Sequence, residues 1–113
     1  MTDSFDGLKA LDRDLLMSQM AEALPDIQDK IGITVNELAI KVGMEEQKLA
    51  MIEEGDDKFQ WIEFMSILFV LWNNDRGRGI IEDKGLFPDA LKKAMATNRN
   101  EHIPVTESSK YGI

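Results

Sequence analysis

Residues 33–55, which read ITVNELAIKVGMEEQKLAMIEEG, decide the fold of this chain. Thr34 and Glu37 have the spacing of a capping box, in which the Thr34 hydroxyl accepts from the Glu37 amide and the Glu37 carboxylate accepts from the Thr34 amide. The pattern predicts a helix that begins at Val35. Gly43 is placed to end this helix after about two turns, because glycine adopts left-handed backbone angles at no steric cost.

A second short helix is predicted to follow Gly43 after a brief turn. Leu49 and Ile52 are spaced to lie on its inner face, and Gly55 is placed to end it. The small residue Ala39 stands where the two helices are expected to cross. Two short helices joined by a turn with glycine are typical of a helix-turn-helix.

The chain before this motif carries a helical pattern of its own. Apolar residues recur at steps of three and four, which predicts a helix within about residues 7–23. Pro25 is tolerated in the first turn of a helix, so residues 25–31 are predicted as a short helix closed by Gly32, either separate from the preceding helix or continuous with it. The residues of the apolar pattern are Leu8, Leu11, Leu15, Leu16 and Met20.

Three more helices are predicted after the motif. Residues 61–73 are apolar on two faces, of which one packs on the core and the other needs a partner. The first face consists of Trp61, Phe64, Met65, Leu68 and Trp72, and the second of Ile62, Phe69, Val70 and Leu71. Asp75 is the predicted cap of a weaker helix, because Gly77 and Gly79 each cost about 1 kcal/mol relative to alanine. A last helix starts near Asp89, and no strand pattern appears, so the predicted fold class is all-α.

Residues 24–95 resemble the lambda-repressor-like (Xre/Cro) helix-turn-helix family of small bacterial transcriptional regulators. The likeness rests on the spacing within residues 33–55 and on the ending Ile52-Glu53-Glu54-Gly55, which is similar to the family's Ile-Glu-x-Gly. It implies a compact helical bundle of this type with an extra N-terminal helix and additional C-terminal helices. In this resemblance helix one is 24–31, helix two is 35–42, the recognition helix is 45–54 and helix four is 61–73.

The resemblance implies sequence-specific binding to the major groove of double-stranded DNA. The positions that correspond to the family's phosphate and base contacts are Thr34, Val35, Asn36, Glu45, Glu46, Gln47, Lys48 and Met51. Gln47 can bond an adenine edge with two hydrogen bonds, Glu46 can accept from cytosine N4, and Met51 can touch a thymine methyl. The alternative interpretation is that the charged positions form the solvated face of a helix, with acids favoured near its positive N-terminus.

The charge of the chain supports a second hypothesis. Its 113 residues contain 21 acidic and 13 basic side chains, a net charge of −8 that argues against a simple basic nucleic-acid binder. Residues 45–57 hold six acids against one lysine. The alternative function is an acidic helix-turn-helix module, antitoxin-like or a regulatory partner, that binds a basic protein and has little DNA affinity. Arg76 and Arg78, in a basic stretch, are either phosphate contacts or ordinary solvated charges.

The chain is predicted to form one domain at residues 7–96, with its core at 24–73 and C-terminal helices at 75–96. Residues 1–6 are predicted to be a flexible N-terminus, and residues 97–113 a disordered tail. The second apolar face of residues 61–72 suggests a homodimer on two DNA half-sites about one helical turn apart, unless the following helices cover that face.

Enzyme activity, a cofactor and a metal site are not expected. Zero cysteines exclude a thiolate zinc site, and the single histidine, His102, has no catalytic partner beyond adjacent Glu101. Residues 53–57 lack the ligand spacing of a calcium loop, and the aromatic residues are expected in the core rather than around a small-molecule site. The N-terminus lacks a signal-peptide pattern, and the most apolar run has 12 residues, fewer than the roughly 20 that span a bilayer. A cytoplasmic protein without membrane contact is therefore predicted.

Overall fold

The computed structural model describes residues 12–96, which form six α-helices and no strand. This confirms the all-helical fold class. The helices are α1 Arg13–Ile31, α2 Val35–Val42, α3 Glu46–Glu53, α4 Trp61–Trp72, α5 Asp75–Asp83 and α6 Asp89–Met95. The predicted flexible N-terminus at 1–6 and tail at 97–113 lie outside the described residues. Within the described part, no helix is both long enough and apolar enough to cross a membrane.

Helix α1 is continuous through Pro25, which settles the question that the sequence left open. The Asp12 carboxylate caps its start by accepting from the Leu15 amide at 2.9 Å. Pro25 removes one backbone hydrogen bond, but the residues on both sides of it keep one buried face that includes Met20, Leu24 and Ile27. Gly32, with a φ of 75°, ends the helix. Burial of this face holds the helix together across a residue that usually interrupts one.

Helices α2 and α3 follow the predicted boundaries to within one residue. The capping box at the start of α2 is present in both directions, and Gly43 ends that helix with a φ of 75°. The Met44 amide donates to the Ala39 carbonyl at 2.9 Å, which closes the turn between the two helices. Ala39, at the predicted crossing, is buried. Helix α3 begins at Glu46, because Glu45 takes the extended backbone of an N-cap, without a side-chain cap bond.

Helix α4 packs on the core through Phe64 and Leu68 of the first predicted face, and it leaves Ile62 and Phe69 of the second face exposed. Phe64, Ile67, Leu68 and Leu71 are its buried residues. The sequence assigned Leu71 to the second apolar face, but its side chain is fully buried. The reason is that α4 packs on three neighbouring helices, which cover more than one of its faces. Asn74, rather than Asp75, caps α5 by accepting from the Gly77 amide at 2.8 Å.

Residues 12–88 form one unit, which contains α1 to α5. Helix α1 packs on α3, α4 and α5, helix α2 packs on α3 and α4, and α4 packs on α5. At the start of α1, the Arg13 guanidinium lies 4.7 Å from the centre of the Trp61 ring, which stacks on Phe64. Helix α6 belongs to a second unit and carries Asp89 in its first turn and Lys92 and Lys93 in its last. The core of the first unit therefore holds α2 and α3 in a fixed arrangement.

Candidate nucleic-acid interface

The first turn of α2 is tightly ordered by its cap. The Thr34 hydroxyl accepts from the Glu37 amide at 3.0 Å, and the Glu37 carboxylate accepts from the Thr34 amide at 2.9 Å. This backbone hydrogen bond from Thr34, together with the Thr34 hydroxyl, lowers the pKa of Glu37. The amides of Val35 and Asn36 have no intrahelical acceptor, as at the start of any helix. The turn therefore has backbone donors that can face an anion.

Asn36 joins the first turn of α2 to the first turn of α3. Its side-chain amide donates to the Glu46 Oε1 atom at 3.0 Å, across the turn between the helices. Both side chains are exposed. The contact fixes the spacing of the two helix starts and occupies one oxygen of the Glu46 carboxylate.

Glu45, Gln47 and Met51 form the outward surface of α3. Glu45 and Gln47 are exposed, and Met51, one turn after Gln47, is 37% exposed. Residues four apart lie on the same face of a helix, so Gln47 and Met51 share one side of α3. This side combines an amide that can donate and accept with a flexible apolar group.

Lys48 contacts the protein itself. Its Nζ atom lies 2.8 Å from the Glu63 Oε2 atom, while the other Glu63 oxygen accepts from the Gln60 amide at 2.8 Å. The hydrogen bond to Glu63 raises the pKa of Lys48. Glu63 thus caps α4 and holds α3 in place at the same time. Its position three residues after Gln60 is the spacing of a capping box, so the sequence pattern could have indicated this role of Glu63.

The end of α3 is acidic, but Glu53 turns toward α1. Gln28, which is buried, donates from Nε2 to the Glu53 Oε2 atom at 2.5 Å. Partial burial raises the pKa of Glu53, in spite of the hydrogen bond from Gln28. Glu54, Asp56 and Asp57 are exposed. No local pattern predicts the Gln28 contact, because the two residues are 25 positions apart.

The basic residues of α5 make contacts inside the first unit. Arg76 donates to the Lys30 carbonyl at 3.4 Å, and Arg78 donates to the Trp72 carbonyl at 3.0 Å. Lys84 lies 3.6 Å from the Asp26 carboxylate. These contacts join α5 to α1 and α4. Both arginines therefore have contacts within the first unit.

An apolar strip remains uncovered on α4. Ile62 is 71% exposed and Phe69, two turns later, is 70% exposed. Next to Phe69, a shallow groove of about 310 Å³ lies between α4 and the end of α2. The residues that line it are Lys41, Val42, Met65, Ser66, Phe69 and Val70.

No protein-family model, curated protein or solved structure matches this chain. In residues 12–96 no group of three or more side chains is arranged to hold a metal ion. His102 lies outside the described residues. The geometry of α2, α3 and α4 is therefore the basis for a functional proposal.

Proposed function

We propose that this protein is a sequence-specific DNA-binding transcriptional regulator of the lambda-repressor-like helix-turn-helix type. Helix α3 enters the major groove with its first turn and Met51, and the start of α2 binds a phosphate. The observation that carries the proposal is the arrangement of α2 and α3 around Gly43, held by the Asn36–Glu46 and Lys48–Glu63 contacts. A prearranged pair of helices loses little conformational freedom on binding.

Gln47 is the central base-reading residue in this proposal. Its exposed amide can bond the N6 and N7 atoms of adenine, and Met51 on the same side can contact a thymine methyl. Glu46 reads cytosine through the carboxylate that Asn36 orients. Lys48 supports α3 from behind through Glu63 and makes no base contact.

Only some of the carboxylates in residues 45–57 lie close enough to the proposed DNA surface to repel its phosphates. Glu54 stands seven residues after Gln47, which is about 10 Å along the helix axis. This distance exceeds the Debye length of about 8 Å at physiological salt, so salt largely screens the charge of Glu54 from DNA near Gln47. Glu53 faces Gln28 on α1. Repulsion of phosphate therefore comes mainly from Glu45 and Glu46, at the start of α3.

The test is selection of bound duplexes from a random pool, followed by fluorescence anisotropy with selected and scrambled DNA. We expect a preference for the selected duplex, and an affinity that falls with a negative log–log slope between about 50 and 200 mM salt. The absence of binding to either pool at low salt would reject the proposal.

The acidic-module hypothesis remains a second candidate, supported by the engagement of Lys48 and Asn36 within the protein. With these side chains occupied, residues 45–57 present no uncommitted cation to DNA. A chain that binds no DNA, and that binds a basic protein which is lost when Glu45 and Glu46 are replaced by glutamine, would favour the second candidate.

A homodimer through α4 would place two copies of α3 on two half-sites. Ile62 and Phe69 stand seven residues apart with Ser66 between them, so two antiparallel copies of α4 pair each Ile62 with the other copy's Phe69. The small Ser66 lies near the crossing point. This strip also lacks formal charge, so it avoids the repulsion expected between two chains of net charge −8.

Replacing both Ile62 and Phe69 with serine is expected to convert such a dimer to a monomer, because the change removes the apolar area that association buries. Light scattering coupled to size-exclusion chromatography measures the mass. Ile40→Ser is the matched control, since Ile40 is also 71% exposed but lies on α2 and not on α4. A wild-type chain that is monomeric at all concentrations would contradict the dimer.

A further inference from the structure

A second, larger groove runs between the first half of α1 and the end of α3 with its following loop. Its volume is about 860 Å³, within the range of roughly 300–1,000 Å³ typical of ligand-binding clefts. All of its lining residues belong to the unit at 12–88. The sequence did not reveal this groove, because its two walls are about 30 to 45 residues apart along the chain.

The groove has an apolar floor and an acidic rim. Leu15 is 53% exposed although it lies on the wall of the groove, and Met17 and Ala21 are half-buried beside it. The floor is completed by Ile52 and Phe59. The lining carboxylates are Asp12, Asp14, Glu22, Glu53, Glu54 and Asp57, and the lining cation is Lys58.

The lining of the groove is acidic, with six carboxylates against one lysine. Glu53 is partly buried, and this burial raises the pKa of its carboxyl group, so its charged form is poorly solvated. A cation brought to this wall would relieve that cost. An apolar floor under a rim of six carboxylates and one lysine complements a ligand with one apolar and one basic face.

We propose that this acidic groove binds a basic amphipathic helix from a partner protein. Apolar side chains of the partner lie on Leu15 and Phe59, and its Lys or Arg side chains meet the rim. The wall that α1 provides from Asp12 to Glu22 is about 15 Å long, which matches a partner segment of nearly three turns. The groove lies at the end of α3 away from Gln47, so this site is separate from the proposed DNA surface.

The negative charge of the groove favours a basic partner protein over the termini of this chain and over a second copy of it. Residues 1–11 carry two acids and one lysine, and residues 97–113 carry equal numbers of acids and bases, so neither segment of this chain has the required positive charge. A second copy is disfavoured because two chains that each carry a net charge of −8 repel one another.

The test uses a short synthetic helix of leucine and lysine with its leucines on one face, and a peptide of the same composition in scrambled order. Titration calorimetry gives the affinities, and amide NMR shifts of the full chain locate the site. We expect the ordered peptide to bind more tightly and to shift the amides of Leu15, Ser18 and Phe59. Shifts elsewhere, equal binding of the scrambled peptide, or no binding would overturn the proposal.

Variants with altered charge distinguish specific binding in the groove from general attraction of a basic peptide to an acidic protein. Asp14→Asn with Glu22→Gln is expected to weaken the ordered peptide about tenfold. The control, Glu82→Gln with Asp83→Asn, makes the same change in net charge on exposed positions of α5, away from the groove.

Leu15→Gln probes the floor of the groove and is expected to weaken peptide binding without unfolding the protein, since Leu15 is half exposed. Equal losses in the groove and control variants would also overturn the proposal. None of these measurements involves DNA, so their failure is distinct from failure of the DNA-binding proposal.

Discussion

Replacing Gly77 with alanine is expected to lower the free energy of unfolding by about 2 kcal/mol, although alanine has the higher helix propensity. Gly77 is buried in the first turn of α5. A Cβ atom there would overlap the backbone carbonyl oxygen of Leu71 and lie 3.2 Å from its carbonyl carbon. Because these atoms belong to the backbone at the end of α4, the clash cannot be relieved by rotating a side chain. Urea unfolding followed by circular dichroism measures the loss.

Gly79 provides the matched control two residues later in the same helix. A Cβ atom at Gly79 meets nothing within 4 Å, and the residue is exposed. Gly79→Ala is therefore expected to raise the free energy of unfolding by up to about 1 kcal/mol. If both variants were stabilised, the close approach of α5 to the end of α4 at Gly77 would be wrong.

The two glycines show what the sequence can and cannot predict about this fold. Propensity treats Gly77 and Gly79 alike, as equal costs to α5, whereas packing makes one required and the other replaceable. Helix starts and ends were predictable where local chemistry determines them, as at the Thr34 capping box and Gly43. The course of the chain through Pro25 depends on a buried face, which local rules do not describe.

The candidate site also has some features that the sequence predicted and others that depend on packing. The resemblance placed Gln47 and Met51 on the outer side of α3, and both are accessible there. It placed Lys48 among the DNA contacts too, but the Lys48 ammonium group pairs with Glu63, 15 positions away. The sequence specified which residues surround the start of α3. It did not specify which of them are engaged by distant partners, because that depends on how α3 packs on α4.

Replacing Glu45 and Glu46 together with glutamine is expected to strengthen DNA binding about tenfold at low salt. Each carboxylate lies at the helix start that faces phosphate in the proposed complex, and a pair of charges about 4 Å apart in water interacts by about 1 kcal/mol. Glutamine keeps an oxygen that can accept from Asn36, so the contact between α2 and α3 survives. Fluorescence anisotropy on the selected duplex measures the gain, which should shrink as salt screens the charges.

The control is again Glu82→Gln with Asp83→Asn, which changes the net charge of the chain from −8 to −6 as the α3 variant does. If the recognition surface is at α3, the control should gain much less, because its charges lie on α5 and not on the helix that enters the groove. Equal gains would mean that only the total charge of the protein matters. If the chain binds DNA and the α3 variant leaves the affinity unchanged, the DNA binds on another surface. Glu46 is also the partner of Asn36. Glu46→Ala removes the same charge as Glu46→Gln, but it also removes the oxygen that accepts from Asn36 and from cytosine. A smaller gain than with Glu46→Gln would therefore measure the combined contribution of these two contacts to binding.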